Sequence, residues 1–320
     1  MSTGRFTPET TRLDDAARAG WLYYVAGNTQ DEIARKLGVS RQSAQRLVAM
    51  AVSERLVKVR LDHPIGRCMD LAATLCDRFP LTTCEVVPSD PGAPELLTGI
   101  AIAAAALLEK TLRAPEPRII AMGTGRALRA TVEQLSRMEC PQHKIVSLLG
   151  NVMSDGSATP YNAVIPMADR VGARHYPVPL PVLARDAEEL RALHAQEPVR
   201  NSLALCAEAD LTMVGVGQMD MSAPVLVDGF LRPAEMAELR AAGAAGEITS
   251  WVFDDRGHVI DCAHNRRVAS APLPRAADRP VIAVAVGESK IKAIRAALTG
   301  HLVNGLITNE LTAERLIALP

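Results

Sequence analysis

One stretch near the N-terminus contains the local signals of two short helices joined by a tight turn, and these signals restrict its fold strongly. Thr29 and Glu32 have the spacing of a capping box, which starts a helix. Gly38 ends that helix, because a left-handed residue is favoured there. Ser40 caps a second helix, which we predict from Arg41 to about Ser53. The stretch therefore predicts a helix-turn-helix.

Apolar residues in both helices, and in the preceding segment Asp14–Val25, recur at helical spacing. We therefore expect the segment Asp14–Val25 to be helical as well. The positions expected inside from the helix pair are Ile33, Ala34, Leu37, Ala44, Leu47, Val48 and Ala51.

Positive charge is concentrated in the same segment. The whole chain has a net charge of −1, yet seven cations and one anion lie between Arg35 and Arg60. A basic helix face is typical of duplex DNA binding, although a solvated face is the alternative. Leu56–Leu61 alternates apolar and basic residues, which predicts a strand of a basic wing. The residues expected at the DNA are Thr29, Ser40, Arg41, Gln42, Ser43, Gln45, Arg46, Lys58 and Arg60.

Strand-like and helix-like segments alternate after a linker predicted at His63-Pro64. This alternation predicts an α/β domain with a Rossmann-like, largely parallel sheet covered by helices. We therefore divide the chain into residues 1–63 and 64–320. The predicted strands are Thr83–Val87, Arg118–Met122, Lys144–Leu149, Ala173–Val178, Leu211–Val216 and Val281–Val286. The predicted helices are Pro94–Leu112, Ala127–Met138, Ala187–Leu193, Pro198–Glu208, Pro233–Ala241 and Ser289–Leu298.

Three of these strands are followed by glycines. The segments are Gly123-Thr124-Gly125, Gly215-Val-Gly217-Gln218 and Gly287-Glu-Ser-Lys290. Backbone amides after glycines and at helix N-termini bind anions, and the carboxyl ends of parallel strands open on one crevice. With Arg126 and Lys290 they predict a site for a small anionic metabolite. Each glycine segment alone is also compatible with a plain tight turn, and Lys290 with a solvated lysine.

Asp254 stands in Phe253-Asp-Asp-Arg-Gly257, where it either adds a carboxylate to the crevice or forms a hairpin turn. A carboxylate beside cations suits a molecule with a phosphate at one end and hydroxyls at the other. The residues predicted to bind the effector are Gly123, Thr124, Gly125, Arg126, Gly217, Gln218, Asp254 and Lys290.

Residues 21–48 resemble the N-terminal domain of the SorC family of bacterial transcriptional regulators. The shared motifs include Gly-Asn-Thr-Gln-Asp-Glu-Ile-Ala at 27–34 and Leu-Gly-Val-Ser-Arg at 37–41. The resemblance continues through residues 64–320. Its motifs there include Gly-Thr-Gly-Arg at 123–126, Leu-Gly-Asn at 149–151, Gly-Val-Gly at 215–217, Gly-Glu-Ile at 246–248, and Ala-Val-Gly-Glu-Ser-Lys at 285–290.

This resemblance implies a double-stranded operator as partner and an effector domain similar to sugar-phosphate isomerases and deaminases that senses sugar or polyol phosphates. It also implies a homotetramer, or dimers that reassemble when the effector binds. Residues 123–126 would form the phosphate loop, with Asp254 and Lys290 at the hydroxyl and phosphate ends. We expect Met153–Pro160 to line the pocket. Repression of a carbohydrate or polyol catabolic operon is the working hypothesis, and activation is the alternative.

Patterns typical of catalytic or metal sites do not occur in the sequence. The seven histidines form no HExxH motif and the six cysteines form no CxxC pair. We therefore expect no catalytic residue, no metal, no cofactor and reduced thiols in the cytoplasm. The longest apolar run, Leu96–Leu108, is too short to cross a bilayer, so no membrane partner is expected. The alternative is a sugar-phosphate isomerase or deaminase with an accessory helical domain, in which Asp254 is the base.

Overall fold

The computed structural model describes residues 8–54, 56–59, 65–153, 155–159, 161–273 and 279–319. The chain divides into two compact units, Met1–His63 and Pro64–Pro320. The predicted linker at His63-Pro64 lies outside the described residues. None of the described helices combines the length and the apolar character that a bilayer span requires.

The first unit is a three-helix arrangement of α1 (Pro8–Tyr24), α2 (Gln30–Leu37) and α3 (Arg41–Ser53). One face of each helix contributes to a common core, and the inner faces predicted for α2 and α3 are confirmed. Ala19 of α1, Ile33 of α2 and Ala44 of α3 are fully buried. The helix expected over Asp14–Val25 is present as α1, but α1 begins earlier, at Pro8.

The predicted caps are all present. The backbone amide of Glu32 donates to Thr29 Oγ1 (3.3 Å) and the amide of Thr29 donates to Glu32 Oε2 (2.8 Å), which completes the capping box. Gly38 has a φ of 65° and ends α2. The amide of Ser43 donates to Ser40 Oγ (3.1 Å) at the start of α3. These caps fix the turn that presents α3.

The predicted wing strand is not formed by the described residues Leu56–Val59. The amides of Leu56 and Val57 instead donate to the carbonyl of Ala51, which folds this segment back on the end of α3. Val57 packs against Gly20, where even a Cβ would collide with it. An apolar residue of this alternating segment, Val57, is therefore packed against a helix and not paired in a sheet. Arg60 and Leu61 lie outside the described residues.

The second unit contains a seven-stranded parallel sheet and a small antiparallel one. In chain order, the strands are β1 (Thr83–Val87), β2 (Ile119–Met122), β3 (Lys144–Val152), β4 (Arg174–Pro181), β5 (Leu211–Val214), β6 (Gly217–Gln218), β7 (Gly246–Ile248), β8 (Trp251–Phe253), β9 (Val281–Val284) and β10 (Gly305–Asn309). The parallel sheet has the order β1-β10-β9-β5-β2-β3-β4. All six predicted strands are confirmed, whereas β10 and the small sheet β6-β7-β8 were missed.

Helices cover both faces of the parallel sheet. They are α4 (Gly66–Arg78), α5 (Thr98–Leu112), α6 (Arg126–Gln134), α7 (Val164–Val171), α8 (Ala187–His194), α9 (Glu197–Ala207), α10 (Pro224–Val227), α11 (Pro233–Ala241), α12 (Ile291–Thr299) and α13 (Glu310–Ala318). Alternate strand residues enter the two cores, as the pleat requires. Ala121 packs in one core with α4 and α12, and its neighbours Ile120 and Met122 pack in the other with α5 and α6.

The strand order reverses between β2 and β5. The chain proceeds from β2 outward to β3 and β4, and from β5 outward in the opposite direction to β9 and β10. Such a reversal leaves a crevice at the carboxyl ends of the two central strands, where open α/β sheets bind ligands. The three glycine segments follow β2, β5 and β9, and therefore lie around this point.

Candidate functional site

A cavity of about 580 Å³ lies at the reversal point of the sheet. Its wall includes Thr124, Gly125 and Arg126 after β2, Gly217 and Gln218 after β5, and Lys290 after β9. Six of the eight residues predicted to bind an effector therefore line one space. A cavity of this size matches the usual range for small-molecule sites, about 300–1,000 Å³.

The N-terminus of α6 opens into this cavity. Gly125 is its N-cap residue and has a φ of 118°, which a residue with a Cβ rarely adopts. Among the residues that the structure describes, no side chain caps this helix, so its first amides are placed to bind an anion. Thr124 Oγ1 donates to the carbonyl of Tyr161 (2.9 Å), which fixes the loop before the helix.

Arg126 enters the cavity from the first turn of α6 and has two partners there. Its guanidinium donates to Asp228 Oδ1 at 2.9 Å and lies over the Tyr161 ring, 4.6 Å from the centroid. Asp228 follows α10, and Tyr161 precedes α7. The guanidinium thus connects the β2–α6 loop to two segments that are distant in sequence.

Lys290 and Glu247 place opposite charges in the same cavity. Burial lowers the pKa of Lys290, and the charges of Glu247 and Glu95 partly oppose this effect. Burial raises the pKa of Glu247, whose Oε2 accepts a hydrogen bond from the amide of Ser250 (3.0 Å). Both groups are therefore held where loss of solvent disfavours their charged forms.

Gln218 is the one predicted effector residue with a clear unmet hydrogen-bonding need. The residue is 7% exposed, and within the described part of the chain its Oε1 has no hydrogen-bond partner. A buried carbonyl left without a donor costs about 1–3 kcal/mol. A donor on a bound molecule would remove this cost.

Gly217 is required by its neighbour across the small sheet. It pairs with Glu247 in the antiparallel β6–β7 register, and a Cβ at Gly217 would collide with the Glu247 carboxylate. The glycine predicted for an anion loop therefore serves here to let a carboxylate approach the backbone.

Asp254 and Gly123 are not among the residues that line the cavity. Asp254 Oδ1 accepts hydrogen bonds from the amides of Arg256 (3.0 Å) and His258 (2.8 Å). Its carboxylate is therefore occupied in the hairpin turn that was the alternative interpretation. The amide of Gly123 donates to the carbonyl of Met213 (2.8 Å), which continues the pairing of β2 with β5 beneath the cavity.

The segment Met153–Pro160 was also expected at the pocket, but its described residues do not line the cavity. Ser154 and Pro160 lie outside the described residues. The remainder folds on itself, since the amide of Met153 donates to the carbonyl of Ser157 (2.8 Å) and Val152 bridges to Ala158. Tyr161, just beyond the segment, lines the cavity instead.

The cavity wall also includes four residues that were not predicted from the sequence: Glu95, Tyr161, Asp228 and Glu247. Glu247 had a usable signal, because it lies in the family motif Gly-Glu-Ile at 246–248. The others lie in loops, and their approach to the cavity depends on contacts between segments far apart in the chain.

The predicted DNA-contacting face of α3 is accessible. Arg41, Gln42, Gln45 and Arg46 are exposed and Ser43 is half-buried. Thr29 and Ser40 are exposed but use their hydroxyls as helix caps. Lys58 is exposed, and Arg60 lies outside the described residues. In the described part of the chain, no group of three or more histidine, cysteine, aspartate or glutamate side chains is arranged to hold a metal.

Comparison with known proteins identifies the family. Residues 63–318 match the family described as "Putative sugar-binding domain". The erythritol catabolism regulatory protein EryD of Brucella abortus is 34% identical over 307 residues, with 95% of this chain and 96% of EryD covered. The chain belongs to the SorC family of sugar-binding transcriptional regulators.

Two further relatives of this SorC-family chain span both of its units. The transcriptional regulator LsrR of Klebsiella pneumoniae is 30% identical and covers 95% of this chain and 92% of LsrR. The full-length sorbitol operon regulator SorC of Klebsiella pneumoniae has a TM-score of 0.70 at 25% identity, covering 96% of this chain and 99% of that one. The predicted fold class, a helix-turn-helix followed by a Rossmann-like domain, is confirmed, and the chain is a carbohydrate-related regulator.

Replacing Gln218, whose side-chain carbonyl lacks a partner among the described residues, should raise stability but weaken effector binding. For Gln218→Leu we expect the free energy of unfolding of the ligand-free protein to rise by about 1 kcal/mol, because a buried polar atom without a partner is lost. Affinity for the effector should fall at least about tenfold, since the donor on the ligand then lacks its acceptor. Chemical denaturation and calorimetric titration measure the two effects.

Thr308→Val is the matched control for that variant. Thr308 is fully buried, its Oγ1 also lacks a partner among the described residues, and it does not line the cavity. This variant should gain stability without changing effector affinity. Equal effector binding by Gln218→Leu and the wild type would contradict the role given to Gln218.

Proposed function

We propose that this chain is a DNA-binding regulator of a carbohydrate or polyol catabolic operon, controlled by a phosphorylated sugar or polyol bound in the cavity. The observation that supports the proposal is that three features line the same cavity. They are the N-terminus of α6, Lys290, and Gln218 Oε1. Among the described residues, no side chain caps α6 and no donor reaches Gln218 Oε1. EryD and SorC, named for erythritol catabolism and the sorbitol operon, support a polyol-related role.

The groups that line the cavity suit both the phosphate and the hydroxyls of such a molecule. The amides at Gly125 and the ammonium of Lys290 would bind the phosphate, because both present positive charge. The carboxylates of Glu95 and Glu247 and the carbonyl of Gln218 only accept hydrogen bonds when the carboxyls are ionised, and hydroxyl groups supply the donors. The cavity is thus proposed to bind the phosphate and several hydroxyl groups of one molecule at the same time.

The exposed face of α3 is proposed to contact operator DNA. Its first turns carry Arg41, Gln42, Gln45 and Arg46, and such side chains reach base edges and phosphates when a helix enters the major groove. We further propose a homotetramer or a dimer of dimers, the assembly that the resemblance to the SorC family implies, in which two subunits engage two half-sites at a fixed spacing. The phosphorylated ligand would favour one subunit arrangement and thereby relieve repression.

A thermal-shift screen of matched sugars and polyols, with and without a phosphate, tests the proposal. We expect a rise in melting temperature with a phosphorylated member and a much smaller rise with its unphosphorylated partner, because only the former engages Lys290 and α6. The stabilising compound should also change binding to a duplex selected by the protein from a random-sequence pool. Stabilisation by the unphosphorylated compounds alone would contradict a phosphorylated effector.

The lowered pKa of Lys290 predicts a pH dependence of that binding. The ammonium attracts the phosphate only while it is protonated, so affinity is complete at lower pH and is lost as pH rises through the lowered pKa of Lys290. The loss should begin at a pH where an exposed lysine keeps its proton. Titrations from pH 7.5 to about 10 should show it, and Lys290→Gln should remove the dependence.

An isomerase or deaminase activity is the second candidate, and one observation favours it. Lys290 and Glu247 lie in one cavity with pKa values displaced from their ordinary ranges, as acid and base groups often are in enzymes. Turnover of a sugar phosphate by the purified protein, lost in Glu247→Gln, would establish this candidate. Binding without turnover supports the regulator.

A further inference from the structure

Arg126 lines the proposed effector cavity with its charge already paired. Its guanidinium donates to Asp228 Oδ1 at 2.9 Å, with 39% of the arginine side chain and 13% of the aspartate side chain exposed. Asp228 lines the same cavity. A carboxylate of the protein therefore stands where the anionic group of a ligand could approach the arginine.

The two segments that carry this pair are positioned by separate contacts. Arg126 is in the first turn of α6, and its ring partner Tyr161 is held through Thr124. Asp228 directly follows the short helix α10, and the amides of Phe230 and Leu231 donate to the carbonyl of Val225. The Arg126–Asp228 bond thus connects α10 and its loop to the α6 N-terminus.

An anion bound at the α6 N-terminus would compete with Asp228 for the guanidinium of Arg126. A carboxylate and a phosphate both accept paired hydrogen bonds from arginine, and they compete for the same donors. If the phosphate takes Arg126, the mostly buried Asp228 loses its partner, which is unfavourable. The observed affinity for phosphate then equals the intrinsic affinity multiplied by the fraction of molecules in which Arg126 is not bound to Asp228.

We propose that Asp228 is an internal competitor of the ligand's anionic group for Arg126, and that it sets the affinity of the cavity for phosphate. This inference rests on the proposed function of the cavity. It assigns Asp228 a role in tuning affinity rather than in recognising hydroxyls. It also makes release of the α10 segment a consequence of phosphate binding.

The test compares binding of inorganic phosphate by the full-length wild type and by Asp228→Asn, through the rise in melting temperature and calorimetric titration. Neutral asparagine keeps the size of the side chain but competes weakly. We expect at least tenfold tighter phosphate binding by the variant, equivalent to about 1.4 kcal/mol. Asp228→Ala should behave in the same way, which guards against a folding defect in one variant.

Two comparisons separate competition from a general change of charge. Glu95→Gln removes the same charge from the cavity wall, but the charge of Glu95 acts on Lys290; we expect at most about a threefold gain. Glu133→Gln changes a carboxylate of α6 that pairs with Arg129 and does not line the cavity, and it should leave phosphate binding unchanged.

Hydrogen exchange gives a second measurement. Phosphate should accelerate exchange at the amides of Phe230 and Leu231 in the wild type, and these amides should exchange quickly in Asp228→Asn even without phosphate. Equal gains for Asp228→Asn and Glu95→Gln would overturn the competition while the proposed effector site stands. Absence of phosphate binding in every variant, and of any stabilisation by phosphorylated polyols, would overturn both.

Discussion

Replacing Lys290 by methionine is expected to weaken binding of the proposed phosphorylated effector by about a hundredfold. A charge-assisted hydrogen bond contributes about 1.5–3 kcal/mol, and Lys290 is proposed to make such a bond to the phosphate from within the cavity. Methionine keeps much of the length and removes the charge. The free energy of unfolding should not fall, because burial already disfavours the lysine's charge.

Lys292→Met is the matched control for this variant. Lys292 lies on α12 just beyond Lys290, is exposed, and does not line the cavity. It should bind the effector as the wild type does. Calorimetric titration measures both affinities, and operator binding without effector should be the same in all three proteins. Wild-type affinity in Lys290→Met would place the phosphate elsewhere in the cavity.

The double variant Arg41→Ala, Arg46→Ala is expected to bind its operator about a hundred to a thousand times more weakly. Each arginine that contacts a base edge contributes about 1–3 kcal/mol of discrimination. If the contacts are to phosphates instead, the salt dependence of binding should decrease by about two ions. Both side chains are exposed on the first two turns of α3, so their loss leaves the core unchanged.

Arg18→Ala tests whether the loss is specific to the α3 face. Arg18 is exposed on α1 of the same unit, so the variant removes a positive charge away from the proposed contact surface. Fluorescence anisotropy with a labelled duplex should give near wild-type affinity for this control. Effector-induced stabilisation should persist in the double variant. Equal losses in the control and the double variant would favour a diffuse electrostatic effect over recognition by α3.

Local signals predicted the first unit well because each acts over a few residues. The capping box at Thr29, the left-handed Gly38 and the cap at Ser40 all involve groups within one helical turn. The wing strand failed for a related reason. A strand needs a neighbour, and the described part of Leu56–Leu61 contacts the end of α3 and Gly20 instead.

In the second unit, apolar runs predicted the central strands, whose residues are buried on both faces. The short strands β6, β7 and β8 have two or three residues each, too few to show a period. They nevertheless position Gln218 and Glu247 at the cavity, and the sequence predicted only Gln218 of these two.

The pairing of Arg126 with Asp228 could not be predicted from the sequence. The two residues are separated by 102 positions, and nothing within either segment indicates the other. Asp254 is the opposite case, since its local Asp-Gly turn is sufficient to explain it. Partners that meet only through the tertiary fold require the structure.

Energetic coupling between the proposed effector cavity and the proposed DNA-contacting face of α3 can be measured by titrating one ligand in the presence of the other. The affinity for a labelled operator duplex is measured with and without the stabilising polyol phosphate, and the affinity for that phosphate with and without duplex. We predict that both change by the same factor, at least about fivefold, because coupling between sites is reciprocal. Effector affinity that is identical with and without operator would show that the two sites are not coupled.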